Sequence, residues 1–72
     1  MKYTIKLPER FTAQLLHLPE DGMGYQFVDV ELKDGRVLNH LVVIDADRLQ
    51  VAEEIEPTWI VGIRKSQRPN AA

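Results

Sequence analysis

One dipeptide constrains this chain more than any other feature. Asp34-Gly35 stands between two runs of β-forming residues. Before it, Val28, Val30 and Leu32 alternate with Asp29, Glu31 and Lys33, the period-two pattern of a half-buried strand. After it, Arg36 to Ile44 is again rich in branched aliphatic residues. Asp-Gly between two such runs predicts a β-hairpin closed by a type I′ turn, in which both central residues take positive φ.

A two-residue loop sets Leu32 against Val37, Val30 against Asn39 and Val28 against Leu41. One face of the hairpin then carries Val28, Val30, Leu32, Val37, Leu41 and Val43. The other carries Phe27, Asp29, Glu31, Leu38, His40, Val42 and Ile44. A three-residue loop with a bulge at Gly35 would shift the pairing by one residue and change which side chains meet. In the first register Leu38, Val42 and Ile44 leave an apolar area on the second face, and something has to cover it.

The rest of the chain reads as further short strands. Tyr3 to Leu7 alternates. Asp45-Ala46-Asp47 is a turn. Arg48 to Ala52 is a strand with Leu49 and Val51 on one side, and Trp59 to Arg64 is another, in which Gly62 marks a bulge. Residues 9–18 admit two readings. As a strand, Phe11, Ala13 and Leu15 point one way. As a helix opened by Pro8, Phe11, Leu15 and Leu18 share one face. The strand is put first. The expected fold is therefore mainly β: a small antiparallel sheet or SH3-like barrel of about five strands in one domain over residues 2–65. An α+β fold with a short helix at 9–18 is the alternative, and residues 66–72 are expected to form a disordered tail.

Size and composition narrow the function classes. A 72-residue chain without cysteine has no disulfide and no thiolate metal site, so its stability must come from one small core, a partner, or both. Its longest aliphatic run, Leu41 to Ile44, is far below the roughly 20 residues of a membrane helix. No apolar stretch near Met1 reads as a signal peptide, and the expected location is cytoplasmic. A net charge of -2 disfavours a dedicated nucleic-acid binder.

No catalytic or cofactor motif emerges. Gly22-Met23-Gly24 lacks the lysine and hydroxyl residue of a phosphate-binding loop. His40, set against Asp29 across the hairpin, could be oriented as a general base, with Asp45 a further carboxylate. An exposed cross-strand ion pair explains that placement more simply. Leu32 to Leu38 is similar to the hairpin of Sm-like RNA-binding barrels over seven residues, but the Asp-x-x-x-Asn loop of those barrels is absent, so neither membership nor a site follows.

The expectation is thus a non-enzymatic interaction module without metal or cofactor. It would bind a protein partner or a second copy of itself through Phe27, Leu38, Val42, Ile44 and Trp59. The alternative is weak nucleic-acid binding through Arg64, Lys65 and Arg68, with Tyr25 or Trp59 stacking on a base.

Overall fold

The hairpin forms at Asp34-Gly35, with a different turn from the one expected. A computed structural model describes residues 3–66. In it Gly35 has φ of 96°, while Asp34 is not among the residues with positive φ. The turn is therefore the three-residue form: Gly35 N–H donates to Leu32 C=O at 2.9 Å, and Leu32 N–H donates to Arg36 C=O at 2.8 Å. Strands β2 (Tyr25–Leu32) and β3 (Val37–Ile44) consequently pair one residue out of the first register near the turn, Glu31 opposite Val37 and Val30 opposite Leu38. Farther out, Val28 opposite Leu41 and Phe27 opposite Val42 follow the expected register.

A second bulge reconciles the two registers. Asn39 and His40 together face Asp29, and His40 takes the left-handed conformation at φ 58°. That conformation costs about 1 kcal/mol for a non-glycine residue. The bulge N–H of His40 is satisfied by Asp29 Oδ1 at 3.0 Å. The reason for the bulge is hydrophobic. Without it the shifted strand would turn His40 and Val42 inward; with it Leu41 and Val43 face the core. The register of the three-residue turn corrects two face assignments. Leu38 packs against the core instead of lying on the second face, and Val37 is 45% exposed instead of buried. Leu38→Ser is therefore expected to cost about 1–3 kcal/mol and Val37→Ser less than about 0.5 kcal/mol. Urea denaturation of the two variants checks this, and the reverse order would restore the unshifted register.

The turn itself carries a small acid dependence. Arg36 backbone N–H, donated to Asp34 Oδ1 at 3.0 Å, holds the Asp34 carboxyl below its ordinary pKa. Glu53, bonded to the Arg36 guanidinium, holds that group on its charged side. A lowered carboxyl pKa contributes stability that is complete above the unfolded value and is lost as pH falls through the folded one. The Gly35 and Arg36 amide shifts are thus expected to titrate with a midpoint below the ordinary aspartate value in an NMR pH series. A midpoint at or above that value would show the contact to be absent in solution.

The other elements are β1 (Tyr3–Lys6), α1 (Glu9–Leu16), β4 (Arg48–Val51), a 3-10 turn (Pro57–Trp59) and β5 (Ile60–Lys65). All strand pairs are antiparallel, in the order β1-β4-β3-β2-β5. The fold is mainly β, as expected. Of the two forms foreseen it is the open sheet, because β1 and β5 lie at its two edges and do not pair with each other. Leu49 and Val51 are buried on β4 as their alternation requires. On β5 a bulge at Val61, beside Gly62, shifts the pairing with β2. The β3–β4 turn is the primed one: Asp45 and Ala46 have φ of 55° and 64°, and Asp47 N–H donates to Ile44 C=O at 3.2 Å.

Residues 9–16 are helical, which corrects the strand reading. Phe11 and Leu15 are buried and Leu18 packs beside them, the i, i+4, i+7 face of the alternative, while Ala13 is exposed. Two local features favour the helix. The Pro8 carbonyl accepts Phe11 N–H at 2.9 Å and Thr12 N–H at 3.3 Å, opening the first turn. At the other end the buried Gln26 amide donates to the carbonyls of Leu15 (3.0 Å), Leu18 (3.3 Å) and Pro19 (3.3 Å), joining the Leu18 N–H on the Leu15 carbonyl and tying the end of the helix to β2.

The helix closes one face of the sheet. Beneath it lie Val28, Val30 and Leu32 of β2, Val43 of β3, Leu49 and Val51 of β4, and Ile60 and Ile63 of β5, joined by Leu7 and Ile55 from connecting segments. Among the described residues no helix is long and apolar enough to cross a membrane. Ser66 continues the sheet by donating its N–H to Phe27 C=O at 2.9 Å. The remainder of the expected tail, and Arg68 with it, lies outside the described residues.

Candidate interaction surface

The sheet has a second face, and its centre is apolar. Period-two alternation turns Tyr25 and Phe27 of β2 away from the helix, and the outer half of β3 turns Val42 and Ile44 the same way. Phe27 lies opposite Val42 and Tyr25 opposite Ile44. Phe27, Val42 and Ile44 are half-buried, and Tyr25 is 37% exposed.

Three rings run along this face. The Tyr25 and Phe27 centroids are 5.5 Å apart at 77°, edge to face. The Phe27 and His40 rings are stacked, 4.3 Å apart and 6° from parallel. The left-handed bulge at His40 is what lays the imidazole over Phe27. Its Nδ1 lies 3.2 Å from Ser66 Oγ. Gly22 makes room at the other end of the row, since a Cβ there would stand 2.3 Å from the tip of the Tyr25 ring. Gly22→Ala is therefore expected to swing the tyrosine off Phe27 while changing stability by less than about 1 kcal/mol, because the obstructed atoms are the free end of an exposed side chain. Loss of Tyr25–Phe27 cross-peaks in an NMR spectrum would report it. An unchanged ring contact would refute it.

Charges border the apolar centre in pairs. Asp29 Oδ2 is 3.5 Å from Arg64 Nε. Arg48 reaches Asp45 and, at 3.5 Å, Asp47 Oδ1, and Lys6 Nζ is 3.7 Å from Asp47 Oδ2. The pairs of Arg48 and Lys6, which are exposed, contribute at most about 1 kcal/mol each. Together the pairs leave the rim of the surface without a dominant sign.

The residues expected to form a contact surface divide. Phe27, Val42 and Ile44 share the outer face. Leu38 is turned to the core by the register of the three-residue turn, and Trp59 packs against the core beside the hairpin turn, where Lys33 N–H donates to its carbonyl at 2.8 Å. Tyr25 and His40 complete the surface and were not assigned to it from sequence. The signal for His40 was the adjacent polar pair Asn39-His40, which interrupts the alternation where the bulge occurs.

The residues of the nucleic-acid alternative do not converge. Tyr25 begins β2 and Trp59 lies beyond its far end, roughly 25 Å apart at the rise of a strand. Arg64 faces Asp29 and Lys65 pairs with Asp21. The general-base arrangement takes another form as well: Asp29 accepts the His40 backbone N–H, and the imidazole Nδ1 is turned to Ser66. Among the described residues no group of three or more His, Asp or Glu side chains is placed to hold a metal ion.

Comparison with protein-family models, with curated proteins and with solved structures returns no match for this chain.

Proposed function

We propose that the chain is a non-enzymatic interaction module of a reducing compartment such as the cytoplasm, and that it binds protein through the outer face of its sheet. The observation that carries this reading is the row Tyr25, Phe27, His40 with Val42 and Ile44 beside it, an apolar centre that no helix covers. Its occupant is a second copy of the chain. The rim charges are already matched within one molecule, so two such faces can stack without bringing a surplus of like charge together. The pairing of Arg64 and Lys65 with carboxylates supports this reading over phosphate binding.

Analytical ultracentrifugation tests it. The wild-type chain is expected to sediment with a mass that rises with concentration towards twice 8.3 kDa, and Val42→Lys is expected to hold it at the monomer mass with an unchanged circular dichroism spectrum. A wild-type monomer at every concentration up to about 1 mM, a Kd worth only about 4 kcal/mol, would end the proposal.

A further inference from the structure

The two edges of the sheet are protected in different ways. β1 spans four of the described residues. β5 is longer, and two side chains of the helix reach its free side. Gln14 Nε2 donates to Ile63 C=O at 2.8 Å, and Arg10 Nη2 reaches Ile60 C=O at 3.5 Å. Arg10 and Gln14 are one helical turn apart, so α1 runs beside β5 and places a donor against the strand at two points. The pairing alternates: Ser66 N–H turns inward to Phe27, and two further steps of alternation turn the backbone of Lys65 and Ile63 outward. The Ile63 carbonyl held by Gln14 is thus one that an added strand would need.

We infer that α1 is a guard on a latent strand-docking edge, and that the strand it excludes is β5 of a second copy. Ile60-Val-Gly-Ile-Arg-Lys65 is suited to antiparallel pairing with itself. A two-fold axis at Ile63 lets the two Ile63 residues exchange N–H and C=O. The same axis sets Arg64 against Gly62 and Lys65 against Val61, so the cationic residues of the two copies do not meet. The product is a single sheet of twice the width, closed at its centre and ending on the two β1 edges. Unpaired edges of this kind are where sheet proteins associate, and a covering side chain is one of the ways they are blocked.

The edge is distinct from the outer face, so the test is made in a Val42→Lys background, where face-mediated association is absent. Sedimentation of Arg10→Ala/Gln14→Ala in that background is expected to show a mass near twice 8.3 kDa. Hydrogen exchange at the Ile63 and Lys65 amides is expected to slow at least tenfold relative to the guarded protein. Gln14→Lys, which returns a donor to the Ile63 carbonyl, is expected to restore the monomer. If the double variant fails to fold by circular dichroism, Gln14→Glu alone carries the test, since it keeps the side-chain size and removes the donor. A folded, unguarded variant that stays monomeric at about 1 mM, or one that dimerises with Ile63 and Lys65 still exchanging freely, would overturn the inference.

Discussion

Gln26→Ala is expected to melt roughly 10–20 °C below the wild type. Gln26 is 3% exposed, and its amide nitrogen is shared by three carbonyls at the end of α1. Removing the amide takes the side-chain donor from the Leu18 and Pro19 carbonyls, while Leu15 C=O keeps only the Leu18 N–H, and it opens a void between helix and sheet. Unsatisfied buried acceptors cost about 1–3 kcal/mol. In a domain of this size each kcal/mol moves the midpoint by about 4–8 °C. Gln50→Ala, on the outer face, should shift it by no more than about 2–4 °C, because exposed substitutions stay within about 0.5 kcal/mol. Thermal denaturation followed by circular dichroism decides the matter. Equal effects at the two glutamines would mean that the buried amide does not tie the helix to β2.

A second large effect is expected from two neighbouring leucines with opposite fates. Leu15 is 1% exposed and Leu16 is 69% exposed. Leu15→Ala should cost about 2–5 kcal/mol, and Leu16→Ala less than about 0.5 kcal/mol. A chain of this length has only about 4–11 kcal/mol of stability to lose, so Leu15→Ala alone removes a large fraction of it. Because Gln26 donates to the Leu15 carbonyl, the effects of Leu15→Ala and Gln26→Ala should not add. Denaturant midpoints of the four proteins of this cycle measure the coupling. Additivity within about 0.3 kcal/mol would show that side-chain packing and the cap act separately.

The parts of the fold that could be read from sequence are those fixed by local pattern. The hairpin, β4 and the burial of Leu49 and Val51 follow from alternation between turn residues. The turn type does not follow, because the two-residue and three-residue forms share Asp-Gly and part at the sign of the Asp34 φ and at whether Lys33 belongs to the strand or the loop. Nor do the two compensating bulges, although Val37-Leu38 and Asn39-His40 break the alternation as doublets. Residues 9–18 carried the helical spacing in full. What tips the balance is Gln26, a polar residue inside a strand whose partners lie 7 to 11 positions earlier, and no periodicity reveals it. Of the expected contact surface, Phe27, Val42 and Ile44 were legible by strand parity. Leu38 is misplaced when the two-residue turn is put before the three-residue one, and Trp59 sits outside the sheet in a 3-10 turn.

The strand order has a kinetic side. β2, β3 and β4 follow one another through short turns and form the middle of the sheet, whereas β1 pairs with β4 roughly forty residues later. Closing that long loop is worthwhile only after the central meander exists to receive it, since contacts distant in sequence come at a greater entropic cost. β1, made before the other strands of this sheet, is therefore without its partner until β4 has been made. During synthesis the nascent chain carries an unpaired β1 through the translation of all three central strands.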